Sequence, residues 1–239
     1  MYEENNNVIQ DVGGRSRFFA SVFMWMFMGI LITALTSYGL VTTGLSYLFW
    51  MNPMLIWIFA IAEVILVIYI SKMLTSENMS SSRAKIAFVA YSVVNGITLA
   101  SIFYVYNIGL IYKAFMGSAL MFGAMAFYGH YTKADLSKFA SILIMGLFGV
   151  IIMTLINYIF SFFGMYSGTL DIALGYITLV IFLGLTAWDM QKLKAIYNYA
   201  NGNEEMVQTL AIYGALSLYL DFINLLLSLL RIARGSSKD

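Results

Sequence analysis

The sequence contains no cysteine, one proline, one histidine and few charged residues. The lack of cysteine excludes disulfide bonds, thiol catalysis and thiolate-bound metal sites. The proline, Pro53, follows Asn52, and this pair predicts the capped start of a helix instead of a break within one. The sequence also lacks a basic cluster and a glycine-rich loop ending in Lys-Ser or Lys-Thr. Neither a nucleic-acid partner nor a phosphate-loop nucleotide site is therefore expected.

The scarcity of charge indicates a membrane protein. Charged residues make up 10% of the 239 residues and hydrophobic ones 61%, whereas soluble domains carry about 25% charged residues. Apolar runs of about 20 residues recur, each long enough at ~1.5 Å per residue to cross a ~30 Å hydrocarbon core. The sequence therefore predicts an all-α polytopic membrane protein with seven transmembrane helices. The predicted spans are Phe18–Tyr38, Pro53–Ile70, Ile86–Tyr106, Ile111–Tyr128, Phe139–Phe160, Leu170–Trp188 and Leu210–Leu230.

The charges outside the spans predict the orientation of the chain. Residues 1–17 form a polar tail that lacks the apolar core of a signal peptide. Lysine and arginine concentrate in alternate connections that start with this tail, so we expect a cytoplasmic N-terminus. With residues 18–232 as a seven-span domain, Arg231 and the tail 233–239, which carries Arg234 and Lys238, would lie outside, against the same rule. Either the last segment crosses against this bias or it re-enters the membrane.

Three acidic residues, Glu63, Asp189 and Asp221, lie in segments that otherwise have the composition of membrane-spanning helices. A carboxylate in hydrocarbon costs on the order of a few kcal/mol, which makes such residues functional candidates by default. Glu63 is expected either to face a cavity or to cap the backbone of a neighbouring helix. Lys72 and Arg83, at the predicted cytoplasmic ends of the second and third spans, are the candidate counter-ions for Asp189.

A polar stripe runs along the last predicted span. Ser217, Asp221, Asn224 and Ser228 are spaced at i, i+4, i+7 and i+11, which puts them on one face of a helix. Such a face is expected to point to the interior of the bundle or to water. Asp221 lies about 15 Å along the helix axis from Arg231, which predicts a position near the middle of the membrane.

The position of Asp189 allows two interpretations. It either ends the sixth helix in the headgroup zone or, because Lys192 and Lys194 can extend to the membrane surface, it lies deep enough to meet Asp221. Two carboxyls in hydrogen-bonding reach cannot both ionise cheaply, so such a pair holds one proton over a range that reaches neutrality. A protonated pair closes through an O–H···O bond, whereas an ionised pair repels and offers oxygen ligands to Ca²⁺.

Several segments resemble motifs of the Bax inhibitor-1 family, also called the transmembrane Bax inhibitor motif proteins. The resemblance is carried by Thr186–Lys194 (TAWDMQKLK) and Ala215–Ile232 (ALSLYLDFINLLLSLLRI). Tyr131–Ser137 (YTKADLS) and Asn95–Leu99 (NGITL) are also similar to family motifs. The matching segments occur in the family's order from about Arg15 to Arg234. The short termini and the Gly13-Gly14-Arg15 stretch resemble the bacterial branch, which implies a bacterial plasma (inner) membrane.

This resemblance implies a seven-helix fold in which the last helix is central and wrapped by the other six. It also implies a pH-sensitive calcium leak in which Asp189 and Asp221 form the proton-sensing pair and bind calcium transiently. Glu63 would be the family's acidic residue of the second span, and Asn224, Ser217 and Ser228 are candidates for the ion path. The expected partners are calcium, protons and the lipid bilayer, and no cofactor is expected. An arginine that some relatives carry near the end of the second span has no clear match.

Two other classes of function compete with this interpretation. Two aspartates that share a proton are also the chemistry of intramembrane aspartyl proteases. However, Asp189 follows Thr-Ala-Trp and Asp221 follows Leu-Tyr-Leu, so the Gly-x-Gly-Asp motif of the presenilin-like enzymes is missing, and we do not expect an enzyme. A proton-coupled transporter or a regulatory membrane protein is the other alternative. Transporters tend to contain repeated halves with broken helices, and the sequence contains no convincing repeat.

Overall fold

The computed structural model describes residues 2–74, 80–199 and 203–236, which fold into helices and short connections with no β-strand in these ranges. The helices in order are α1 (Tyr2–Thr42), α2 (Ser46–Met51), α3 (Pro53–Met73), α4 (Ser81–Leu99), α5 (Ile102–Val105), α6 (Ile108–Tyr131), α7 (Ser137–Phe162), α8 (Gly168–Tyr199) and α9 (Glu204–Ser236). Pro53 stands in the first turn of α3, as its sequence position predicts, although Asn52 makes no side-chain capping bond.

Within the described ranges, six helical stretches are long and apolar enough to cross a membrane: Gly13–Thr42, Ser81–Val105, Ile108–Tyr131, Ser137–Phe162, Gly168–Asn198 and Glu204–Gly235. They correspond to the predicted spans one and three to seven. The predicted second span forms α3, a helix of 21 residues, and its crossing stays a prediction. The helices extend past the predicted limits because hydropathy marks only the apolar part of a helix, whereas backbone hydrogen bonding continues into polar sequence.

The chain divides into two compact units. The first consists of residues 1–105 and 195–219, and therefore contains α1 to α5, the end of α8 and the first half of α9. Within it, α4 packs against both α1 and α3. Gly96 permits the close approach of α1, because a Cβ there would lie 2.6 Å from Thr36 Cβ. The Ser37 hydroxyl also donates a 2.7 Å hydrogen bond to the Gly96 carbonyl.

The second unit consists of residues 106–194 and 220–239, which include α6, α7, most of α8 and the second half of α9. Helices α6 and α8 approach closely where Gly129 lies against the backbone of Ala187. Asn157 joins the end of α7 to the turn before α8, since its side chain donates to the Ser167 carbonyl (3.2 Å) and accepts from the Ser167 amide (3.1 Å). These contacts fix α8, which carries Asp189.

Burial distinguishes α9 from the other membrane-length helices. In the most apolar 18-residue stretch of each helix, 72% of the α9 residues are buried, compared with between 11% and 50% in the other five. Helix α7 is the least buried of the six, at 11%. An apolar helix with little internal burial presents most of its surface to lipid in a membrane protein, so α7 is largely a lipid-facing helix.

Two residues of the loop before α7 have the types and spacing of a helix start, which the structure places further along the chain. Thr132 and Asp135 fit a capping box that opens the fifth predicted helix, but α7 begins later, at Ser137. The Thr132 hydroxyl accepts from the Ala134 amide (3.2 Å) and the Asp135 carboxylate accepts from the Ser137 amide (3.0 Å). Both side chains therefore close turns within the loop. Asp135 has a structural role there, as the sequence indicates.

Candidate functional site

Asp189 on α8 and Asp221 on α9 both lie in the second unit and are both buried, with 8% and 3% of their surface exposed. The Asp221 carboxyl is close enough to Asp189 for their charges to interact, and the Thr186 side chain also lies beside it. The Thr186 hydroxyl donates to the Phe182 carbonyl of its own helix at 2.7 Å. Thr186 is itself fully buried. The structure thus brings together the two acids that the sequence singled out, with a hydroxyl beside them. Their role as a proton sensor stays a prediction.

One oxygen of this pair has an unusual environment. Asp221 Oδ2 is buried and has no hydrogen-bond partner among the described residues. A buried acceptor without a partner carries the full free-energy cost of its lost hydration. Such an oxygen is stabilised when it carries a proton or binds a water or a cation. The arrangement is therefore better suited to a carboxyl that gains and loses a proton or a bound cation than to one with a purely structural role.

The helical periodicity of α8 explains why Asp189 points inward. Thr186, Asp189, Met190 and Leu193 follow one another at intervals of three, one and three residues, and all four are buried. Lys192 lies outside this face, with its ammonium group 4.9 Å from the ring centre of Trp188. A cation over an aromatic face is electrostatically stabilised, which holds this lysine on the indole.

The candidate counter-ions for Asp189 both belong to the first unit. Lys72 is in the last turn of α3 and Arg83 is in the first turn of α4. Their pairing with Asp189 stays a prediction.

Gln191, which sequence reasoning did not single out, has a positional role within the second unit. It donates to the Ala134 carbonyl (2.7 Å) and accepts from the Leu136 amide (3.0 Å), which ties the α6–α7 loop to α8.

The polar stripe of α9 is divided between the two units, with Ser217 in the first and the other members in the second. Two of its polar groups bond to their own helix. Asn224 donates its amide to the Leu220 carbonyl (2.8 Å) and Ser228 donates its hydroxyl to the Asn224 carbonyl (2.6 Å). Asn224 and Ser228 also line a cavity of about 280 Å³ that α7, α8 and α9 enclose within the second unit.

An ion pair lies at the Arg231 end of this cavity. Arg231 donates through Nε to Asp171 Oδ1 at 2.7 Å, and its Nη2 lies 2.6 Å from the same oxygen. Thr154 accepts longer contacts of 3.4 and 3.5 Å from the guanidinium group. Sequence reasoning missed Asp171, whose partner is 60 residues away in the chain. Its position in the first turn of α8, within an apolar stretch, is the signal that could have found it.

Glu63 belongs to a separate polar network in the first unit. Thr98 donates to Glu63 Oε1 at 2.6 Å, and the Asn95 side chain is also hydrogen-bonded to this carboxyl. Tyr219 in turn donates to Asn95 Oδ1 at 2.8 Å and shares a 2.6 Å hydrogen bond with Thr33. The sequence predicts a cavity or a helix backbone as the surroundings of Glu63. The structure shows side-chain donors from α4 instead.

Two carboxyls do not make a complete cation site on their own. Among the described residues, no three His, Cys, Asp or Glu side chains cluster in an arrangement that could hold a metal ion. Calcium takes 6–8 oxygen ligands, so a Ca²⁺ ion at Asp189 and Asp221 would keep part of its water shell. This chemistry fits an ion in transit better than a tightly held one.

The sequence was compared with known families and proteins. The profile of the family described as "Inhibitor of apoptosis-promoting Bax1" matches residues 15–238. The chain belongs to the Bax inhibitor-1 family. This Bax inhibitor-1 protein is 37% identical over 233 residues to the inner membrane protein YbhL of Escherichia coli K12, an alignment that covers 97% of each chain. Similar relatives include an uncharacterized membrane protein of Streptococcus pyogenes serotype M1 (36% identity, 95% of this chain and 97% of the relative). Another is an uncharacterized protein of Borreliella burgdorferi (36% identity, 96% of this chain and 97% of the relative).

Proposed function

We propose that this Bax inhibitor-1 protein is a pH-sensitive calcium leak channel of a bacterial plasma (inner) membrane, gated by Asp189 and Asp221. The observation that carries the proposal is the buried Asp221 oxygen without a hydrogen-bond partner, next to a second buried carboxyl. A site of this kind changes its stability when a proton leaves or a cation arrives. The name of the Escherichia coli relative, an inner membrane protein, supports the location.

The gating follows from the charge on the pair. At low pH the two carboxyls share a proton, and the O–H···O bond between them holds α9 against α8. As pH rises the proton leaves, and the two carboxylates repel each other. The contact between α8 and α9 loosens, and water and Ca²⁺ reach the ionised oxygens. Flux therefore increases with pH.

The ion path in this proposal follows the polar side of α9. Asn224 and Ser228 lie one and two turns from Asp221 on the same face, and Glu63 and Ser217 are the candidates in the first unit. The high internal burial of α9 supports a central position for this helix among seven spans, with the N-terminus in the cytoplasm. Calcium, protons and lipid are the expected partners, and neither a catalytic role nor a resident cofactor is proposed.

Calcium flux into dye-loaded liposomes tests the proposal. Purified wild-type protein, Asp189→Asn and Asp221→Asn are compared between about pH 5 and about pH 8, a range in which a coupled carboxyl pair can titrate. Wild-type flux is expected to rise with pH, and both variants are expected to lose this dependence. Asp135→Asn, which removes an exposed loop carboxylate, is the matched control and should keep the wild-type profile. Absence of flux above empty liposomes at every pH would refute the leak.

One observation favours a second candidate function. Glu63, Asn95, Tyr219 and Thr33 form a continuous series of hydrogen-bonded side chains in the first unit. Chains of carboxyl and hydroxyl groups are used as proton relays in transporters, so proton-coupled transport is the alternative. It would show as proton movement that accompanies calcium flux and stops in Tyr219→Phe. A regulatory membrane protein without transport would show neither calcium flux nor proton flux.

A further inference from the structure

The cavity of the second unit has an apolar interior. Its apolar wall consists of Leu147, Val150, Ile151, Leu155, Phe182 and Leu227. The hydroxyls of Thr178 and Ser228, which also line it, donate to their own helices, at 2.7 Å to Leu174 and 2.6 Å to Asn224. These donors are therefore satisfied within the protein. The remaining walls of the space offer a large contact area to a hydrocarbon chain.

One wall of the cavity belongs to the lipid-facing surface. Ile151 and Leu155 on α7 line the cavity and are also 46% and 44% exposed. Both belong to the helix with the least internal burial of the six membrane-length helices. In a membrane such exposed apolar side chains contact acyl chains. The cavity is thus accessible from the hydrocarbon region, from which a lipid chain can enter.

The end of the cavity at Arg231 carries excess positive charge. Asp171 neutralises Arg231, but Arg234 follows three residues later on α9 and is exposed. Arg234 is hydrogen-bonded to Tyr106, and tyrosine and arginine are typical of the level of the lipid headgroups. Arg231 Nη1 makes a long, 3.4 Å contact with Thr154. A phosphate can accept from both arginines without breaking the pair with Asp171.

We propose that this cavity binds an anionic phospholipid, with one acyl chain between α7, α8 and α9 and the phosphate at Arg231 and Arg234. The shape and the charge both select this ligand. The apolar interior takes a chain, and the net positive charge at one end favours an anionic headgroup over a zwitterionic one. The same arginines repel calcium, so this site differs from the aspartate pair. The proposal does not depend on the calcium leak.

Native mass spectrometry of the detergent-purified chain tests the site with two lipids that differ only in headgroup, phosphatidylglycerol and phosphatidylcholine with identical acyl chains. Wild-type protein is expected to retain phosphatidylglycerol about fivefold more tightly, as one favourable arginine contact predicts. Thr178→Phe and Leu155→Trp each place a ring in the cavity from a different wall. Both are expected to weaken phosphatidylglycerol binding by about tenfold, because the acyl chain loses its place.

The headgroup contact has its own variant and its own control. Arg234→Gln is expected to remove most of the preference for phosphatidylglycerol while phosphatidylcholine binding stays unchanged. Lys113→Gln also removes one exposed positive charge from the second unit, in the first two turns of α6. It should keep the wild-type preference. If Lys113→Gln lowers the preference as much as Arg234→Gln does, the attraction is a general effect of charge and the proposed headgroup site is wrong.

Three further results would overturn the proposal. The first is equal retention of the two lipids by the wild-type protein. The second is wild-type retention of phosphatidylglycerol by both ring variants, provided that their unfolding temperatures match that of the wild type. Phe148→Leu changes an exposed α7 side chain that does not line the cavity. It serves as the control for lipid bound loosely around the helices, and a loss as large as that of the ring variants would also refute a cavity site.

Discussion

The two units each hold an acidic side chain within an apolar helix, half-buried in the first unit and buried in the second, and they surround it in opposite ways. In the first unit, Glu63 is met by the neutral donors Thr98 and Asn95, and further hydrogen bonds continue to Tyr219. In the second unit, Asp221 has a second carboxyl as its neighbour, and one of its oxygens accepts no hydrogen bond from the part of the chain that the structure describes. A satisfied network specifies packing. A carboxyl beside another carboxyl is held less firmly and responds to protons and cations.

The largest expected difference between the units is in pH response. Asp221→Asn should abolish the pH dependence of calcium flux, whereas Glu63→Gln should keep it, because Glu63 already has fixed donors. A switch that binds one proton changes its closed population by at most about tenfold per pH unit, which bounds the slope of the wild-type profile in the liposome assay. If Glu63→Gln flattens the profile as strongly as Asp221→Asn does, the two acids work as one sensor and the contrast between the units is wrong.

The stability of the second unit is expected to depend on the close contact between α6 and α8. Gly129→Ala would drive a Cβ into the Ala187 backbone, two residues before Asp189, so α6 must shift. We expect a loss of roughly 1–3 kcal/mol in unfolding free energy, measured by denaturant titration in detergent. Gly123→Ala on the same helix is the control, since nothing lies within 4 Å of its Cβ position, and it should be neutral or slightly stabilising. Equal losses in both variants would contradict the packing argument.

The hydrogen-bond network of the first unit is expected to contribute to the free energy of unfolding. Tyr219→Phe removes the hydroxyl that Asn95 and Thr33 share and leaves two buried polar groups with fewer bonds. The expected loss is about 1–3 kcal/mol of unfolding free energy, with no change in the pH profile of calcium flux. Tyr176→Phe, at an exposed tyrosine of α8, is the control and should change neither. A Tyr219→Phe variant that keeps its stability but loses proton-coupled flux would favour the transporter.

The smallest effect concerns a third kind of acid, the exposed Asp135 in the loop before α7. The backbone amide of Ser137 donates to its carboxylate, which lowers the pKa of Asp135 below its ordinary value. A lowered pKa in the folded state means that this group stabilises the fold above its unfolded pKa and loses that contribution as pH falls through the folded value. An NMR titration of the carboxyl should give a folded pKa below that of the unfolded chain. The Lys133→Gln variant, which keeps the Ser137 bond, should show the same shift.

Composition and periodicity were sufficient for much of the fold. The apolar runs predict six of the membrane-length helices, and the stripe of Asp221, Asn224 and Ser228 predicts which side of α9 is polar. The resemblance of the Thr186–Lys194 segment added the pairing of the acids, for which spacing alone allowed two interpretations. Hydropathy says nothing about partners that are distant in the chain. It therefore could not predict that Asp171 pairs with Arg231, or that Thr98 and Asn95 are the hydrogen-bond partners of Glu63.

The loop before α7 shows a different limit. The residues Thr132 and Asp135 have the correct types and spacing for a capping box, but the backbone turns twice more before α7 begins. Start signals of this kind depend on backbone angles that residue types only bias. The Gln191 side chain, one turn after Ala187 on α8, supplies two of the loop's hydrogen bonds. A sequence pattern cannot reveal such a bond, because it crosses more than 50 residues of chain.

The bonds from Gln191 to the loop also make this loop a convenient place for a reporter group. Since the Gln191 side chain joins the α6–α7 loop to α8 two residues from Asp189, a displacement of α8 is expected to reach the exposed Lys133 at the surface. The chain contains no cysteine, so Lys133→Cys provides one unique attachment point for a spin label or a fluorophore. A movement of α8 caused by titration of the buried carboxyls could thus be followed by spectroscopy at this loop, as a change in distance from the label while the pH is varied.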